Sequence, residues 1–129
     1  MSGPLAHLMR SSIVHVGFAF LAMGSWAAFA NRAHPMPAPL YAGLLQGAIS
    51  AAITLVLKRA IEYLASRFSG LTALLAPPVI AGLVSTTLLT FLHTLSGTPE
   101  VAKTIVVPLT VATSYAALYN YSLWRIRKA

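Results

Sequence analysis

The chain contains no cysteine and only two acidic residues, Glu62 and Glu100, among its 129 positions. Without cysteine there is no disulfide, no thiolate metal site and no cysteine nucleophile. Charge of either sign is scarce. Lys, Arg, Asp and Glu together make up 9% of the chain, against about 25% in soluble globular domains. Apolar residues make up 57%, and a soluble domain this small cannot bury so much apolar surface and keep a polar coat. These shortages exclude an ordinary soluble enzyme, a disordered tail and a cytosolic nucleic-acid module. The net charge of +7 does not restore the last of these, because the basic residues are scattered between uncharged runs and form no basic face. No nucleic-acid partner is expected. What remains is an integral membrane protein surrounded by membrane lipids.

Four stretches lack any charged residue: 11–31, 33–57, 68–99 and 104–124. A helix needs about 20 residues to cross a hydrocarbon layer ~30 Å thick, so each stretch holds one span and none holds two. Spans are predicted near 12–31, 40–59, 74–95 and 103–123, making residues 1–129 a single transmembrane domain. Backbone groups must be paired in lipid, and the alternation of a membrane barrel is absent, so the class is all-α: a bundle of four transmembrane helices. Arg10, an apolar run and Ala28-Phe29-Ala30 imitate a secretory signal. The run is long for a signal core, and a transmembrane helix is expected instead.

Basic residues near span ends set orientation. Arg10, Lys58, Arg59, Arg67, Arg125, Arg127 and Lys128 fall on one side, and only Arg32 and Lys103 on the other. Both termini are therefore expected in the cytoplasm, with the protein in a bacterial inner (plasma) membrane. Span two is predicted to continue as helix to Tyr63 or Leu64, and Ser69-Gly70 to break it. Pro77-Pro78 marks the start of span three or a kink in it. Thr98-Pro99-Glu100 reads as the start of span four, and Pro108 predicts a kink there.

Small residues recur at helical spacing. Gly43 and Gly47 form a GxxxG, and Gly47 with Ser50 resembles Gly82 with Ser85. Such positions let backbones approach, in a dimer face, a substrate groove or, favoured here, packing within the bundle. Ser25–Asn31 matches Ser114–Asn120 at four of seven positions; Ala48, Ser50 and Ala52 alternatively align with Ala112, Ser114 and Ala116. No acidic residue lies within a span, which disfavours proton-coupled exchangers and carboxylate-lined channels. The best candidate for a polar groove is Gln46, Ser50 and Thr54, at four-residue spacing on one face of span two, because a Gln amide is hard to satisfy on its own helix. Asn31 and Arg32 belong to a polar cluster with His34 at the outer mouth, where Arg32 suits a lipid phosphate. Asn120 and Arg125 belong to an aromatic belt and basic tail suited to headgroups. His34 and His93 should lie at similar depth, but no third ligand stands near them, so neither a metal nor another cofactor is expected. No nucleophile–base–acid set converges, and an enzyme is not expected.

The segment from Ala102-Lys103-Thr104 to Asn120-Tyr121, closing on Trp124, Arg125 and Arg127, resembles the last helix of the GtrA-like family of small four-helix membrane proteins. Arg10 ahead of Val16-Gly17 is similar to that family's opening. Span two ends in Leu57-Lys58-Arg59-Ala60, without the Asn that the family carries there. The resemblance implies a part in moving polyprenyl-phosphate-linked sugars across the inner membrane. The expected function is a small transporter or flippase-like protein for a lipid-linked or amphipathic substrate. Substrate contacts are expected from Gln46, Ser50, Thr54, Asn31, Arg32, Asn120 and Arg125. The alternatives are a non-catalytic subunit or scaffold of a larger membrane complex and a pore or holin-like protein. The partners expected beside membrane lipids are further copies of the chain, as a homo-oligomer, or the other chains of a membrane complex, because four helices enclose little space.

Overall fold

The computed structural model describes residues 4–128, with side chains from 12 to 127. The side chains of His7, Arg10 and Lys128 lie outside that range. Four helices account for the architecture: α1 (Pro4–Ala30), α2 (Ala38–Arg67), α3 (Gly70–Ser96) and α4 (Val101–Lys128). No strand occurs among the described residues. All four helices are long and apolar enough to cross a bilayer, and the chain is an integral membrane protein with an all-α, four-helix bundle fold.

The helices run up and down. The end of α3 meets the start of α2 through His93 and Gln46, and the end of α1 meets the start of α4 through Asn31 and Thr104. At the opposite end the start of α3 meets the end of α4 through Gly70 and Trp124. The start of α1 and the end of α4 therefore lie at the same end of the bundle.

The helices extend beyond the expected spans. α2 runs to Arg67, and the chain breaks at Phe68-Ser69 before Gly70, whose φ of 60° suits a residue without Cβ. α4 begins at Val101, just after Thr98-Pro99-Glu100, with the Thr104 N–H bonded to the Glu100 carbonyl. Of the two expectations at Pro77-Pro78, the helix start is corrected: α3 starts at Gly70 and runs through both prolines. Each proline lacks the N–H that would bond four residues back, which leaves the carbonyls of Ala73 and Leu74 without helical donors. The Asn120 amide of α4 supplies both, with Nδ2 at 2.9 Å from each carbonyl.

The apolar core lies among α2, α3 and α4. Ile49, Leu89 and Ile105 form one cluster, and Leu57, Ile61 and Ala116 a second. α1 contributes to neither. It is held instead by backbone approach at glycines. A Cβ on Gly24 would meet the Gly43 carbonyl oxygen at 2.8 Å, and one on Gly43 would meet that of Gly24 at 2.9 Å. A Cβ on Gly47 would meet the Phe20 carbonyl oxygen at 3.0 Å. The Gly43/Gly47 pair is thus the seat of α1, packed inside the chain.

Candidate functional site

At the end opposite the termini, two polar chains close the bundle. His93, with no exposed surface, lies in the last turn of α3. The left-handed Gly97 turns the chain so that the Thr98 N–H bonds the His93 carbonyl. The turn also brings Thr98 Oγ1 within 2.7 Å of His93 Nδ1. On its other side, His93 Nε2 lies 2.8 Å from Gln46 Oε1, and Gln46 Nε2 donates to Ser50 Oγ at 2.8 Å. A carbonyl oxygen only accepts, so in this arrangement Nε2 carries the proton and the Thr98 hydroxyl donates to Nδ1.

The second chain ties α1 to α4. Asn31 Oδ1 accepts from the Glu100 N–H at 2.9 Å and so caps the start of α4 from another helix. Asn31 Nδ2 donates to Thr104 Oγ1 at 2.7 Å and to the Ala27 carbonyl at 2.8 Å, while the Thr104 hydroxyl donates to the Glu100 carbonyl. Trp26 Nε1 donates to the Lys103 carbonyl at 3.0 Å. Outside this layer the half-exposed His34 and Glu100 pair at 2.8 Å. The hydrogen bond from His34 holds the Glu100 carboxyl below its ordinary value of 4.5; Lys103 adds to that shift and burial opposes it.

The expected substrate residues fall into separate places. Gln46 and Ser50 are sealed in the α2–α3 seam, with Gln46 at 0% exposure, so this part of the stripe is a closed helix–helix contact. Thr54 is exposed, and its hydroxyl bonds the Ser50 carbonyl of its own helix. Asn31 is buried in the α4 cap. Arg32 folds back on α1, with Nη1 at 2.9 Å from the Phe29 carbonyl and its guanidinium 3.8 Å from the Phe29 ring centroid. Asn120 is fully buried; its Nδ2 is committed to α3, and Oδ1 has no partner. Arg125 is exposed at the terminal end, the length of the bundle away from Arg32. His34 and His93 share an end but not a partner. The start of α4 brings Glu100 against His34, and no group of three His, Asp or Glu side chains gathers among the described residues.

Sequence reasoning passed over a second feature, a lateral cleft at the terminal end. Along α1, Ile13, Gly17, Phe20 and Gly24 share one face by spacing. Phe20 and Gly24 pack on α2, but a Cβ on Gly17 would meet nothing within 4 Å, and Ile13 is 68% exposed. From Ser12 to Phe18 every residue but Val16 is exposed. The facing stripes change in the same way. On α2, Gly43 and Gly47 are covered, whereas Thr54 and Lys58 are exposed. On α4, Thr104 and Pro108 are buried, whereas Val111 and Tyr115 are exposed. α1 thus touches the bundle at one end and stands away from it at the other.

The cleft's mouth is polar. Tyr119 donates to the Glu62 carboxylate. Tyr115 stacks on Tyr119 with centroids 5.8 Å apart, and Lys58 Nζ lies 6.0 Å from the Tyr119 ring centroid. Below it, Arg127 reaches from α4 to the Ala65 carbonyl. The sequence signal for this mouth was a charged pair at i and i+4, Lys58 and Glu62, where span two leaves the membrane. Comparison of the chain with family models, with curated proteins and with solved structures found no match.

Proposed function

We propose that the protein is a small transporter or flippase-like carrier of an amphipathic or lipid-linked substrate, in a bacterial inner membrane with both termini cytoplasmic. The lateral cleft carries this reading. The exposed Ile13 and Gly17 of α1 and Val111 of α4 offer apolar surface to a hydrocarbon chain, and the Lys58, Glu62 and Tyr119 cluster offers a polar mouth to a headgroup. Two further points support it. Lys58, Arg59, Arg67, Arg125 and Arg127 gather at the terminal end, as the positive-inside rule requires of a cytoplasmic face. The closing helix also resembles the GtrA-like family. The reading involves no covalent chemistry, so the protein acts as a carrier and not as an enzyme.

The test is reconstitution into vesicles holding a fluorescent polyprenyl phosphate on both leaflets, followed by a membrane-impermeant quencher. Wild-type protein should extend quenching to the inner-leaflet probe, and Gly17→Phe, which fills the cleft, should return it to the protein-free level. Quenching by wild type that matches empty vesicles discards the carrier reading.

A second reading, a non-catalytic subunit of a larger membrane complex, is favoured by the same exposed stripe, which also suits a foreign transmembrane helix. Purification in mild detergent separates the two. A homogeneous species, alone or as a homo-oligomer with no foreign chain, counts against the subunit.

A further inference from the structure

The chain has two carboxylates, and their partners are unequal. Glu100 is ion-paired with His34, the one salt bridge among the described residues. Glu62 stands at the end of the bundle that holds five described Lys and Arg side chains, yet it pairs with none of them. Its hydrogen bond comes from the Tyr119 hydroxyl through one carboxylate oxygen, Oε2. Lys58, one helical turn nearer the membrane centre, is exposed and likewise has no carboxylate partner. An unpaired ammonium and a half-buried, unpaired carboxylate thus sit in series at the mouth of a cleft whose deeper wall is apolar.

We propose that this mouth is a headgroup site for a phospholipid with a primary ammonium group, of the phosphatidylethanolamine type. The order of charges matches such a molecule. Its phosphate lies next to the glycerol and the acyl chains, and its ammonium lies beyond the phosphate, towards water. Lys58 lies deeper and suits the phosphate. Glu62 lies four residues further out, about 6 Å at the helical rise, and suits the ammonium. The Tyr119 hydroxyl fixes Oε2 and leaves Oε1 for the ligand's N–H groups. The stacked rings of Tyr115 and Tyr119 wall the site, while the acyl chains lie against Ile13, Gly17 and Val111. An anionic headgroup would leave Glu62 uncompensated beside it, and a choline headgroup has no N–H to donate. This proposal rests on the cleft that also carries the transport reading, but it concerns a resident lipid and is read without transport.

The test is native mass spectrometry of the intact chain in micelles doped with equal amounts of phosphatidylethanolamine, phosphatidylglycerol and phosphatidylcholine. Wild type should retain phosphatidylethanolamine in preference to the other two. Glu62→Gln keeps an acceptor for Tyr119 and removes only the charge; it should lower that preference about fivefold, and Lys58→Gln should lower retention of all three lipids similarly. Arg67→Gln removes a cation that lies half-way round the α2 axis from Lys58 by helical spacing and bonds the Tyr63 hydroxyl; it should change neither. Gly17→Phe should release the lipid while circular dichroism stays helical. Equal retention of the three lipids, an Arg67→Gln effect equal to that of Lys58→Gln, or an unchanged preference in Glu62→Gln would overturn the proposal. A lipid-free dimer that Gly17→Phe converts to monomer would also overturn it and assign the cleft to a second copy. Flat translocation with the lipid preference intact would remove the carrier and leave this site standing.

Discussion

The most demanding consequence of the fold concerns Asn120. Two consecutive prolines in a lipid-embedded helix leave two carbonyls unpaired, and one primary amide carries two N–H groups. The two 2.9 Å bonds to Ala73 and Leu74 match that requirement one for one. Hydrogen bonds between membrane helices contribute on average ~0.6 kcal/mol each and at most about 1.7, so the pair contributes about 1–3 kcal/mol. Asn120→Leu keeps the volume and removes both bonds. It also removes Oδ1, which is buried without a partner, so the raw change understates the loss. A double-mutant cycle cancels that term. In the Pro77→Ala/Pro78→Ala background, the new backbone N–H groups can pair with Ala73 and Leu74 through the helix itself. There Asn120→Leu should be less destabilising by about 1–3 kcal/mol than in the parent. Asn120→Asp should be worse than Leu, because it turns oxygen towards two carbonyl oxygens. Reversible unfolding in mixed detergent, followed by circular dichroism, measures all four corners. An equal cost for Asn120→Leu in both backgrounds would refute the assignment of Asn120 as the donor for the proline gap.

Three further outcomes follow from the same geometry. Gly43→Val should undock α1, since even its Cβ meets the Gly24 carbonyl oxygen at 2.9 Å, whereas Gly17→Ala should be tolerated or raise thermal stability by roughly 0.5–1 kcal/mol through helix propensity; cross-linking of residue 24 to residue 43 and melting curves report both. Gln46→Leu should cost about 1–3 kcal/mol by leaving the buried His93 Nε2–H without an acceptor, and adding His93→Phe should recover much of that loss; a double variant no more stable than Gln46→Leu alone would sink the seam as drawn. Because His34 lowers the Glu100 carboxyl in the folded chain, its contribution is present above the ordinary value of 4.5 and is lost as pH falls through the lowered folded value. Melting temperature should therefore drop in wild type as pH falls below 4.5, and the drop should be smaller in Glu100→Gln.

The sequence by itself determined the solvent, the number of helices and their up-and-down order. Charge-free runs of spanning length admit nothing else in lipid, and the loops between them are too short for any course but reversal. It also marked the polar side chains that had to find partners, because a Gln, an Asn or a His in such a run cannot be left to water. It did not say which partner each would find. Asn120 looked like a headgroup contact until α3 brought the two proline-freed carbonyls to it, and Pro77-Pro78 looked like a helix start because the donor for the freed carbonyls lies 47 and 46 residues further along the chain. Gln46 looked like part of a groove until the left-handed turn at Gly97 set His93 against it. The cleft was invisible for a related reason. Ile13 and Gly17 continue the stripe that packs at Phe20 and Gly24, and periodicity records which face a residue occupies but not how far the next helix stands from it. That separation is fixed where the backbones of α1 and α2 touch at Gly24 and Gly43, and by the direction in which α1 leaves that contact.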